Sequence, residues 1–156
     1  MQDYKNQLIT HLKGGSAFMP VEELLKFISS EELCRRPKAL PYSFYEIFYH
    51  MRFAQKDILE YIKDKDYTTH EWPQDYWPKK NMIDSLEEWE LLKSHFFEEQ
   101  QELIGFLQDT ENDLLKPVSK GTEHTLLREV LLVIEHNAYH SGQLLIVLRS
   151  LSLYPA

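Results

Sequence analysis

A chain of 156 residues has room for one domain that buries about 70% of the surface its unfolded form exposes. With 43% apolar and 27% charged residues it has neither the composition of a disordered chain nor that of a fibrous repeat. Seventeen Lys and Arg stand against 25 Asp and Glu, a formal charge of -8 that works against any grip on a phosphate backbone and so against a nucleic-acid partner.

The longest apolar runs, 130–134 and 144–148, are five residues each. A bilayer span needs roughly 20, so no membrane helix is expected. Met1 to Leu12 mixes charges into its apolar residues and offers no continuous hydrophobic segment with a small-residue cleavage site, and the lone Cys34 cannot form an internal disulfide. A cytoplasmic, reducing location is the expectation.

Gln2 to Lys13 reads as a first, short helix stopped by Gly14-Gly15, and Pro20 opens a further turn or two over Val21 to Ser29. Between Pro41 and Tyr67 the residues Phe44, Ile47, Phe48, Met51, Ala54, Ile58, Tyr61 and Ile62 recur at three and four, with Ser43 as N-cap. This is a long amphipathic helix. Thr68 to Asn81 is rich in aromatics and proline, which predicts an ordered cover lying over one end of the fold.

From Met82 to Gln108, capped by Asp84 or Ser85, the residues Leu86, Trp89, Leu92, Phe96, Leu103 and Leu107 mark a second long helix. The last begins near Thr122 or Thr125 and carries Leu126, Val130, Val133, Ile134, Asn137, His140, Leu144, Val147 and Leu151 to a stop at Leu153-Tyr154-Pro155. No segment alternates at period two. Four main helices, each with a stripe to bury, predict an all-α four-helix bundle forming a single domain over residues 1–156.

The segment with most chemical content is Glu135-His136-Asn137-Ala138-Tyr139-His140-Ser141-Gly142-Gln143. Positions four apart on a helix lie about 40° apart and one turn displaced, so His136 and His140 suit two neighbouring positions on a transition metal. Seven histidines in 156 residues produce such a pair by chance in roughly one chain of four, so two readings stand side by side: hydrogen-bonded core or surface histidines, or a metal pair. The flanking Leu131, Leu132, Val133, Ile134, Leu144 and Leu145 drive at least one ring inward, where both nitrogens need partners.

His50, mid-helix between Phe48 and Met51, is the candidate third ligand, since His11, His70, His95 and His124 fall near helix ends, in loops or among charges. Three imidazoles leave a position open for water or substrate, which is the pattern of a catalytic site. Elsewhere, Cys34 has Arg35 and Arg36 beside it to lower a thiol's pKa but no identifiable base, so a chance neighbourhood is the simpler reading. Trp72, Tyr76 and Trp77 suit either a stacking wall for a ligand or a hydrophobic cap. Glu87, Glu88, Glu90, Glu98 and Glu99 read as a solvated face.

Pro41-Tyr42-Ser43 leading to Tyr49-His50-Met51, Trp72-Pro73 with Tyr76-Trp77-Pro78, and His136 to Gln143 followed by Leu148-Arg149 carry a resemblance. Over essentially its whole length the chain resembles the DinB-like (DinB/YfiT) superfamily of small bacterial four-helix metalloproteins. The resemblance implies that His50, His136 and His140 form a divalent-metal site, for Zn or Ni first and Mn or Fe also, in a homodimer.

It also implies a range of activities, from transfer and isomerisation with low-molecular-weight thiols to metal-dependent hydrolysis. The leading expectation is a thiol S-transferase taking a small-molecule thiol or electrophilic substrate. The alternatives are a metal-dependent hydrolase and a non-catalytic metal-binding stress-response bundle. If the helices bearing His50 and His136 are neighbours, Glu46, one turn before His50, is placed to act as an acceptor behind it or as general base. Gln143, near His140, is placed to hydrogen-bond a group on the metal.

Overall fold

Side-chain caps set where the long helices begin. A computed structural model describes residues 2–63, 67–118 and 122–155 and contains α1 (Gln2–Lys13), α2 (Val21–Leu25), α3 (Phe44–Lys63), α4 (Leu86–Gln108) and α5 (Leu126–Ser150). At the start of α3 the Ser43 hydroxyl accepts from the Glu46 N–H at 3.2 Å while the Glu46 carboxylate accepts from the Ser43 N–H at 2.8 Å, a reciprocal capping box. Ser85 and Thr125 cap α4 and α5 in the simpler way, their hydroxyls accepting from Glu88 N–H and Arg128 N–H.

The stops are equally local. Gly14 and Gly15 have φ of 79° and 93°, and a Cβ on Gly14 would stand 3.0 Å from the Phe18 ring and 3.2 Å from Pro20 Cα, so both conformation and space require glycine there. Beyond α5 the Ser152 N–H reaches Arg149 O and the Leu153 N–H reaches Leu148 O, with Ser152 itself at φ 60°. That is a Schellman stop built on serine.

With Ser43 as the expected cap, α3 begins at Phe44 and is followed through Lys63, with residues 64–66 outside the described set and Tyr67 non-helical. The turns after Pro20 are helical only over Val21–Leu25. No helix among the described residues is long and apolar enough to cross a membrane.

The bundle packs α3 against both α5 and α4, with α1 lying on α4 and α5 and α2 on α5. Its apolar interior is in two parts. One contains Phe44, Phe48, Met51, Trp89, Phe96 and Leu148, and the other contains Leu12, Leu59, Leu103, Leu107, Val130 and Val133. Between them along α3, α4 and α5 comes a buried polar layer of His50, Gln55, Gln100, Asn137, His140 and Ser141. The Gln55 amide donates to Phe96 O at 2.7 Å and Gln100 donates to Leu12 O at 3.1 Å, so the layer ties the helices together where apolar packing is interrupted.

At the α1 end a lysine does structural work. Lys5 is 3% exposed, and its ammonium donates to the carbonyls of Asp109 and Asn112, both at 2.7 Å, just past the C-terminus of α4. Positive charge at that end answers the helix dipole as well as the unpaired carbonyls. Lys5→Met keeps the apolar stem but strands two carbonyls, so it should lower unfolding free energy by about 1–3 kcal/mol, read as a shifted urea midpoint with unchanged slope.

Candidate metal centre

The two histidines on α5 stand four apart, and both face α3 across the polar layer. His50 is 2% exposed and His140 7%, with His136 half-buried between them. His50 Nε2 lies 3.0 Å from His136 Nε2, and the three rings offer ligand atoms that all fall within 4.8 Å of one another. Among the described residues this is the sole cluster of three or more potential ligands so close.

The nitrogen that each ring turns toward the others follows from its other partner. His50 Nδ1 lies 3.1 Å from the Tyr76 carbonyl, which can only accept, so Nδ1 carries the proton and Nε2 presents a lone pair. His140 Nδ1 donates in the same way to Gln143 Oε1 at 2.7 Å. The indole of Trp77 lies flat on His50, with ring centroids 4.3 Å apart and planes 3° from parallel, and Tyr139 meets His140 edge-on at 4.9 Å. These contacts hold the rings and keep water from them.

Electrostatics agree with that geometry. Burial, with His140 and His50 as unfavourable neighbours, pushes His136 down to about 3. Burial and His50 push His140 down to about 4, against a smaller upward pull from Gln143. Burial also lowers His50, which the Tyr76 carbonyl only partly offsets. All three are neutral at pH 7.

Neutral imidazoles whose ring nitrogens converge in this way, two of them with Nε2 left as acceptor, suit a divalent ion. Bonds of 2.0 to 2.1 Å at tetrahedral angles set ligand atoms about 3.3 Å apart, close to the 3.0 Å seen between His50 and His136. Three grouped histidines can therefore hold a metal, and the donor set fits one.

The groups behind the histidines differ in part from the sequence expectation. The Glu46 carboxylate is occupied by the α3 cap and by Arg36, whose Nε donates to it at 2.8 Å. Burial alone would raise this carboxyl, but the Arg36 guanidinium and the Ser43 N–H hold it below the usual carboxylate range. The acceptor on His50 is instead the Tyr76 carbonyl, 26 residues further along the chain. Gln143 does reach the cluster, but it bonds to His140 itself and thereby fixes that ring's tautomer.

Sequence reasoning missed Asp57. This carboxylate is 9% exposed and accepts from the hydroxyls of both Tyr67, at 2.5 Å, and Tyr76. Burial raises both phenols above their ordinary range, and Asp57 adds to the effect. Tyr76 is thus fixed at two points, its hydroxyl on Asp57 and its carbonyl on His50. A signal did exist: Asp57 interrupts the stripe of α3 one turn before Tyr61. A cavity of about 790 Å³ opens beside the cluster, with His136, Asp57, Trp72, Tyr76 and Tyr139 in its wall.

The other candidates stay apart from the site. Burial raises the Cys34 thiol, while Arg35 pairs with Glu32 and Arg36 with Glu46, so no activated thiolate forms there. Glu99 departs from the expected solvated face: it pairs with Arg52 at 2.5 Å in a largely buried contact. Glu88 accepts from the Asp84 N–H at 2.7 Å and the Tyr45 hydroxyl at 3.2 Å.

In the unfolded chain His136 and His140 titrate near 6.5, yet in the fold they resist protonation to about 3 and about 4. Below about pH 6.5 the unfolded state therefore binds more protons, and stability falls as pH drops from there toward the folded values. The metal-free protein should lose thermal midpoint between pH 7 and about 4.5. The H136Q/H140Q double variant should show a shallower decline, because its glutamines do not titrate.

The sequence model of the DinB superfamily matches residues 17–144, a span that takes in all three histidines, Asp57, Tyr76 and Gln143. Comparison with curated proteins and with solved structures finds no match. Most of the chain lies within the matched span and the fold is all-helical, with the histidines on α3 and α5. This chain belongs to the DinB superfamily.

Proposed function

We propose that the protein is a metal-dependent enzyme acting on small molecules, with S-transfer from a low-molecular-weight thiol to an electrophile as its reaction. His50, His136 and His140 hold the metal. The observation that carries this reading is the convergence of three neutral imidazoles beside an aromatic cavity large enough for a substrate. Three protein ligands leave a coordination position open, which a closed structural site would not. Imidazole nitrogens favour Zn or Ni over the oxygen-preferring Mn, with Fe also accommodated.

Held by these three histidines, a divalent ion would supply Lewis acidity that lowers the pKa of a thiol or water entering beside it. The chain's own contribution is to position and to exclude. The Tyr76 carbonyl and Gln143 Oε1 hold His50 and His140 as Nδ1–H tautomers, leaving Nε2 for the ion. Trp77 closes one face of His50, which keeps the local dielectric low. The apolar wall of the cavity receives the body of the electrophile near His136.

Elemental analysis of purified protein should find near one equivalent of a divalent transition metal. His136→Ala and His140→Ala should each lose it while keeping the helical circular dichroism signal, because neither apolar part of the core includes these residues. His50→Ala should weaken metal binding at least tenfold. Near-stoichiometric metal in the H136A/H140A double variant would refute the assignment.

The metal-loaded protein should consume a chlorinated aromatic only when a small thiol is present. Ester hydrolysis without thiol would favour the hydrolase, and neither activity with metal bound would favour the non-catalytic bundle.

A further inference from the structure

We infer that the cavity beside His136 is built for an organic cation: a molecule with an ammonium group attached to an apolar body. The inference rests on the reading of this cavity as the substrate site, and it does not depend on the metal.

Five aromatic side chains, those of Tyr61, Tyr67, Trp72, Tyr76 and Tyr139, line the space. Trp72 and Tyr139 remain 64% and 65% exposed, an unusual placement for such large rings. Rings arranged about a cavity present negative π faces, which attract a cation most strongly where water is excluded. The hydroxyls of Tyr67 and Tyr76 are already committed to Asp57, so it is their rings that remain for a ligand.

The charge of the wall has the matching sign. It contains the carboxylates of Asp57, Glu129 and Glu135 against the single guanidinium of Arg128. Arg128 and Glu129 answer each other at 2.5 Å, which leaves Asp57 and Glu135 in excess. No lysine or arginine among the described residues pairs with either. Among the described residues the basic group that approaches Asp57 is His70, its Nε2 at 3.8 Å.

Asp57 is nine-tenths buried and accepts hydrogen bonds from two neutral phenols, with the His70 imidazole beyond hydrogen-bond reach and no lysine or arginine among the described residues paired with it, so little counter-charge offsets its desolvation. A cation entering the cavity supplies it. An anion would meet the excess carboxylates and have only an arginine already paired.

The test uses a quaternary ammonium, which has no lone pair and cannot ligate a metal. Trimethyl(2-phenylethyl)ammonium and its uncharged tert-butyl isostere are titrated into the full chain by calorimetry, with and without added Zn. The cation should bind at least tenfold tighter than the isostere in both conditions. Asp57→Asn should cut that preference to threefold or less while leaving the isostere's affinity within about twofold. Glu135→Gln, on the exposed side of α5, should lower the preference without disturbing the fold.

Equal binding of the two probes, no binding of the cation up to about 10 mM, or a preference untouched by both variants would overturn the inference. Loss of metal binding in the histidine variants leaves this measurement unchanged, so the two readings fail separately.

Discussion

A single main-chain carbonyl, that of Tyr76, determines which nitrogen of His50 faces the other two histidines. Because a carbonyl can only accept, it draws the proton of a neutral imidazole to Nδ1 and leaves Nε2 bare toward His136. The rest of the centre presupposes that choice. Burial keeps the ring from escaping the constraint by protonation, and Trp77 stacked on it prevents rotation. The carbonyl in turn stays in place because the Tyr76 hydroxyl is held by Asp57, about two turns beyond His50 on the same helix. The loop between α3 and α4 is therefore part of the site.

The bundle was legible in the sequence because its signals are short-range. Ser43, Ser85 and Thr125 announce their helices within a few residues, and the Gly14-Gly15 pair marks a stop whose positive φ values favour glycine, with the space at Gly14 requiring it. His136 and His140 were legible for the same reason, since one helical turn relates them. His50 could be proposed from its apolar flanks, but its approach to the other two depends on how α3 and α5 pack, which spacing within one helix does not encode.

The supporting groups were harder to read. A backbone carbonyl leaves no trace in residue identity, so the acceptor on His50 was assigned by proximity along the helix to Glu46, whereas the fold spends that carboxylate on a cap and an arginine. Asp57 escaped notice because a carboxylate on an amphipathic helix ordinarily faces solvent, and only the returning loop buries it. Two tyrosines nineteen and ten residues away give it its role.

The two-part core has an evolutionary consequence. Stability resides in the apolar masses at either end of the bundle, while the histidines, amides and Asp57 occupy the waist between them. Substitutions at the waist alter ligands, charge and cavity lining without emptying either mass, so what they cost falls on the ties between helices and spares the apolar packing. A scaffold divided in this way can diverge in substrate far more readily than in shape.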